Sequence, residues 1–213
     1  MALKRSYMRS TVLLLLTLLL AACGSAYQVT RPDEKTGLLV TSVEVKPEEI
    51  LTFKPLAGVD RINFVLLRAG SGGSHTSEYA SFMKKSIEAF GIRDVVTRDE
   101  FTKLIINSPL RDSVGNVTDP VALARISSVI GPFIIIDAVQ VFQGYAWFET
   151  RLRVTDASSA EVMLDIHRLR NNFSGLDREV NYPMLNVVKR WFDESRKLPP
   201  PEGMNRSDGD PKT

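Results

Sequence analysis

The chain has 213 residues, with 27 Lys and Arg against 25 Asp and Glu, two histidines, one cysteine and 44% apolar residues. A single cysteine excludes a disulfide framework within one chain, and the distant His75 and His167 lack zinc-ligand spacing. No basic block marks a nucleic-acid face, while the apolar content is enough for one core of ordinary domain size.

Lys4, Arg5 and Arg9 give a positive start, Thr11 to Leu20 a short leucine-rich run, and Ala21-Ala22 a small-residue end. These are the three parts of a secretory leader. The apolar run is about half of the roughly 20 residues that a membrane-spanning helix needs. Leu20-Ala21-Ala22-Cys23 matches the bacterial lipobox. That match implies removal of a signal peptide, residues 1–22, and lipidation of Cys23 with a diacylglyceryl group and an amine-linked chain such as palmitate. Each buried methylene contributes about 0.8 kcal/mol and one chain alone holds weakly, so multiple acylation makes a durable lipid anchor. Gly24 and Ser25 stand where an aspartate would favour inner-membrane retention, which implies the outer membrane, facing the periplasm. Three of the bases lie in the leader and none of the acids do, leaving 24 bases against 25 acids in the product.

Residues 23–37 are polar and read as a lipidated tether, and residues 38–197 as one α/β domain. Residues 38–45 alternate weakly and read as a strand. Arg61 to Arg68 reads as a strand, followed by the glycine-rich loop Gly70 to Gly73. Tyr79, Phe82, Met83, Ile87 and Phe90 recur at helical spacing and predict a helix over 76–90, with Gly91 in the left-handed position after it. A short strand at 92–96 leads to Thr97-Arg98-Asp99-Glu100, a capping box opening a helix with Phe101, Leu104 and Ile105. After a loop over 107–117, Asp119-Pro120 reads as N-cap and first residue of a third helix carrying Val121, Leu123, Ala124, Ile126 and Ile130. Phe133 to Ile136 is apolar on both faces and predicts a central strand. Strands at 145–155 and 161–169 form a hairpin. Setting Leu152 against Leu164 and Val154 against Val162 also sets Arg151 against Asp165 and Glu149 against His167, with 157–159 as the loop. A last helix begins near Pro183 with Met184, Leu185, Val188, Trp191 and Phe192, and the proline-rich end, 198–213, reads as disordered. The order implies a mixed sheet with helices mostly on one side.

From Ile62 to Arg170 the pattern resembles a group of bacterial envelope domains. The group includes the curli-secretion lipoprotein, the TolB amino-terminal domain and the penicillin-binding-protein activator lipoproteins. The resemblance rests on the strand INFVLL, on VVTRDEFTKLI, on LARISSVIGPFIIIDAV and on the hairpin RVTDASSAEVMLDI. In that hairpin Ala160 stands where the group usually has glycine.

The glycine loop fails both phosphate-binding patterns, since His75 and Thr76 replace the required glycine and lysine. No serine lies in a nucleophile elbow. Tyr145, Trp147, Arg151 and Arg153 fall in one phase of their strand, opposite the core, and are residue types enriched in interfaces. The expectation is a non-enzymatic binding or assembly factor of the cell envelope, without metal or cofactor, that docks an envelope protein. The alternative is an envelope hydrolase built from Asp137, Glu149, Asp165 and His167, which requires a pocket gathering those groups.

Overall fold

The computed structural model describes residues 27, 29–72, 76–92, 94–111, 119–144, 147–171 and 177–199. The leader, Cys23, His75, Tyr145, most of the loop before Asp119 and the chain from residue 200 lie outside these.

Six strands form one sheet: β1 (Ile50–Phe53), β2 (Phe64–Ser71), β3 (Val95–Thr97), β4 (Phe133–Gly144), β5 (Trp147–Asp156) and β6 (Val162–Asn171). Their order is β1-β6-β5-β4-β2-β3. β2 runs parallel to both β3 and β4, while β4, β5, β6 and β1 are successively antiparallel. The α/β class and the mixed sheet are those expected. The helices are α1 (Thr76–Ala89), α2 (Arg98–Ile106), α3 (Pro120–Ile130), the single turn α4 (Asp177–Val180) and α5 (Tyr182–Arg196).

Alternation along β2 and β4 separates two cores. Val65, Leu67, Ile134 and Ile136 face Tyr79, Phe82, Met83 and Ile87 of α1 and Leu185, Val188, Trp191 and Phe192 of α5. Phe64, Leu66, Phe133 and Ile135 face Phe101 and Ile105 of α2 and Leu123 and Ile126 of α3. The two longer helices therefore share one face, and α2 and α3 take the other, where the sequence reading placed few. Leu104 and Val121, expected inward, are 47% and 76% exposed.

Local chemistry explains the boundaries. Thr97 closes β3 and caps α2: its hydroxyl accepts from Glu100 N–H and its own N–H donates to Glu100 Oε2 at 2.7 Å. Asp119 Oδ2 accepts from Ala122 N–H and Pro120 follows as the first helical residue. Gly91 has φ +77° after α1. Gly131 has φ +94°, and a Cβ there would collide with the Asn63 amide, which donates to Ile130 O at 2.6 Å.

The Glu100 carboxyl is held at about 2, below its ordinary 4.5, first by the Thr97 N–H and then by Lys84. Because the folded value is the lower one, its stabilisation is full above about pH 4.5 and is lost as pH falls toward 2. Glu100→Ala should cost about 0.5–1 kcal/mol near neutrality, as loss of a cap does at an exposed site. Urea unfolding of variant and parent should converge as pH falls through that window. A gap that persists at the acid end would show the loss to be uncharged.

Several elements differ from expectation. Residues 38–45 form no strand; the edge of β6 is taken instead by β1, which lies between Pro47 and Pro55. β2 begins at Phe64, because Val59–Arg61 make a 3-10 turn, and it continues through Gly70 and Ser71, which pair with Val139 and Gln140. β3 is Val95–Thr97 where 92–96 was expected.

The hairpin register differs by two residues. Leu152 faces Ile166, Val154 faces Leu164, Arg151 faces His167 and Arg153 faces Asp165. Asp156 N–H donates to Glu161 O at 3.0 Å, so the loop is 157–160, one residue longer than expected. The pairing then shifts by one more between Thr155–Val162 and Val154–Leu164, where Met163 is the extra residue of a bulge. From Leu164 onward the two-residue shift keeps each side chain on its expected face, but Val162, expected inward, pairs with Thr155 on the side of Asp137 and Arg153, and Met163 takes the inward place.

Ala160 takes φ +59° in this turn, a left-handed conformation that costs an L residue about 1–2 kcal/mol. Ala160→Gly should raise stability by about 0.5–1 kcal/mol, the remainder being lost to the greater freedom of unfolded glycine. A higher urea midpoint at unchanged m-value would report it; a lower midpoint would show that the turn tolerates alanine without strain.

Candidate functional site

Among the described residues, the face of the sheet shared with α2 and α3 is covered only at one end. Beyond Ile135, β4 presents Asp137, Val139 and Val141 on that face. Their neighbours are Arg68 on β2, then Arg153, Arg151 and Glu149 on β5, then Asp165, His167 and Leu169 on β6. Val139, Trp147 and Leu169 are 45%, 42% and 56% exposed. This is an open, half-apolar sheet surface.

Its charges alternate in a row across four strands: Arg68, Asp137, Arg153, Asp165. Arg68 grips Asp137 through two bonds of 2.6 Å. Arg151 donates to both Asp165 oxygens at 3.0 and 2.7 Å, reaching diagonally, and Arg153 adds contacts at 3.2 and 3.3 Å. Glu149 bonds His167 Nε2 at 2.9 Å and accepts from Gln143 at 2.7 Å. Burial opposes the charge on Asp165, but Arg151 and Arg153 prevail and hold its carboxyl below the usual range. His167, then Gln143, lowers that of Glu149.

These pairings decide what the acids can do. Clamped by two guanidinium groups, Asp165 stays ionised and is a poor proton carrier near neutrality. A cavity of about 180 Å³ lies where Arg68, Asp137 and Arg153 meet Leu123 and Ala157, and an open cleft of about 750 Å³ runs from Arg68 and Asp137 to the starts of α1 and α2. Neither gathers Glu149, Asp165 or His167 with Asp137. Among the described residues, no group of three or more His, Cys, Asp or Glu could hold a metal ion, and no helix is long and apolar enough to cross a membrane.

Trp147, Arg151 and Arg153 stand together on this face, while Tyr145 lies outside the described residues. Arg68, Val139 and Leu169 complete the surface and were not singled out in the sequence. A signal existed for Leu169: it is apolar in the outward phase of β6, next to His167.

No family model matches the sequence, and no curated protein does. Among solved structures, the fold is similar to a PelC dodecamer from Paraburkholderia phytofirmans, at TM-score 0.42 and 12% identity, over 67% of this chain and 94% of that one. It is similar to the LpoB C-terminal domain from Salmonella enterica, at TM-score 0.34 and 14% identity, over 55% and 88%. It is also similar to a lipoprotein from Neisseria meningitidis, at TM-score 0.36 and 11% identity, over 62% and 96%. Likeness at this level carries no binding partner or activity over to this chain.

Proposed function

We propose that the chain is the precursor of a lipoprotein anchored through Cys23, and that its domain is a non-enzymatic binding or assembly factor of the cell envelope. The envelope protein partner docks on the open sheet face through Trp147, Arg151 and Arg153. The observation that carries this reading is the surface itself: exposed Trp147, Val139 and Leu169 interleaved with arginines already ordered by Asp165. Preordered arginines lose little side-chain entropy on binding, and aromatic and arginine side chains dominate interface energetics. The committed carboxylates weigh against the hydrolase.

Cys23→Ser should abolish metabolic labelling by a palmitate analogue and leave an uncut precursor; label retained in that variant would remove the anchor assignment. For the docking face, a photo-crosslinking residue at Leu169 should give a discrete adduct in intact cells. One at Leu104, exposed on α2, should not, and Arg151→Ala with Arg153→Ala should weaken the Leu169 adduct. Equal adducts from both positions, or none from Leu169, would remove this face as the docking site.

A further inference from the structure

The amino-terminal segment is laid on the helical layer. The Tyr27 ring packs, tilted, at 5.5 Å from both Tyr79 and Phe82 of α1. The Thr30 hydroxyl donates to Tyr182 Oη, at the start of α5, at 3.0 Å. Leu39 is bound further along α5, at Asn186. All three holds lie on the side of the sheet opposite the open face.

Resting on the proposal that Cys23 carries the lipid, we infer that the α1 side of the domain faces the membrane headgroups, and that the open sheet face is turned away from them. Chain length decides the matter. From Cys23 to Tyr27 there are four residue steps, a reach of at most about 14 Å at roughly 3.5 Å each. A domain of this size is roughly 40 Å across. The domain therefore cannot turn its far face to the bilayer while Tyr27 stays docked. Were the chain free to Leu39, the reach would be about 55 Å and would impose no orientation. The surface around Tyr27 is formed by Val29, Ser77, Glu78, Ser81 and Lys85. It is mixed in charge, so reach and not adhesion sets the arrangement. The consequence is that Trp147, Arg151 and Arg153 are presented outward, to a partner lying beyond the lipoprotein.

The test uses the full acylated chain in phosphatidylethanolamine–phosphatidylglycerol vesicles carrying a headgroup quencher. One fluorophore is placed at Ser81→Cys on α1 or at Val129→Cys on α3; the acylated Cys23 thiol does not react. The expected result is loss of most fluorescence at position 81 and little at 129. Tyr27→Ala with Thr30→Ala, still acylated, should abolish the contrast. Equal quenching at both sites in the parent, with the protein bound to vesicles, would overturn the inference. Failure of the parent to float with vesicles would instead overturn the anchor on which it rests. Contrast that survives in the double variant would show that Tyr27 does not set the orientation.

Discussion

Replacing Glu49 by alanine should destabilise the protein by about 3–5 kcal/mol, the usual cost of removing one partner from a buried ion pair. Glu49 ends the 3-10 turn Pro47–Glu49 just before the edge strand β1. Its Oε2 accepts from Lys46 N–H at 2.8 Å and from Arg168 Nε at 3.3 Å, and its Oε1 meets Arg170 at 2.7 Å. The Arg168 side chain is wholly buried, and its Nη1 donates to Val180 O at 3.1 Å. Among the described residues, Arg168 Nη2 and Arg170 Nε are buried without partners, so the anion compensates a site already short of acceptors. Burial presses the Glu49 carboxyl upward, yet the Lys46 N–H, Arg168 and Arg170 hold it below its ordinary 4.5. The folded value is the lower one, so this stabilisation is complete above about pH 4.5 and is lost as pH falls below it. Urea unfolding near neutrality gives the direct measurement. Glu49→Ala combined with Arg168→Met should recover most of the loss, since removing both charges removes the desolvation cost. A loss of under about 1 kcal/mol in Glu49→Ala would mean that Arg168 is solvated in solution.

Arg168 also shows where sequence reading stops. It lies in the inward phase of β6, with Leu164 and Ile166, and period two alone predicts an apolar residue there. Among the described residues, the distant Glu49 and the Val180 carbonyl make the position tenable, and neither is visible from β6. By contrast, β4 was legible because Phe133 to Ile136 is apolar in both phases, and α1 because Tyr79, Phe82, Met83 and Ile87 repeat at three and four. The caps at Thr97 and Asp119 were legible because their partners are three residues away.

The hairpin was half legible. From Leu164 onward, which face each side chain takes depends on parity, and alternation supplies that. Its absolute register depends on a left-handed alanine and a bulge at Met163, and neither has a sequence signature of its own. The ion pair of Arg151 with Asp165 forms despite the shift, because arginine is long enough to bridge a diagonal. The open face was legible as a phase of β5 but not as a surface. Whether Arg151 is covered depends on where α2 and α3 end, and that follows from packing between elements far apart in the chain.

The failed strand at 38–45 leads to the other large effect. Leu39 is 2% exposed, and its backbone pairs with a side chain, not with a strand. Leu39 N–H donates to Asn186 Oδ1 and Asn186 Nδ2 donates to Leu39 O, both at 2.8 Å. The amide thus plays the part of a neighbouring backbone, on a helix whose pattern shows only apolar anchors. Asn186→Ala should cost about 2–3 kcal/mol, since each buried backbone group left unpaired costs about 1–3 kcal/mol. Peeling the segment away sets the ceiling, because it forfeits the burial of Leu39, about 1.5–3 kcal/mol. Hydrogen exchange distinguishes the routes. In Asn186→Ala the Leu39 amide should lose protection, while the amides of Phe82 and Met83 on α1 keep theirs. Asn186→Asp should fall between, since it retains the acceptor for Leu39 N–H but not the donor for Leu39 O. Because Tyr27 and Thr30 are held separately, on Tyr79, Phe82 and Tyr182, Asn186→Ala should leave the quenching contrast between positions 81 and 129 intact. Loss of that contrast would mean that the segment docks as one cooperative unit, with Leu39 as its fixed point.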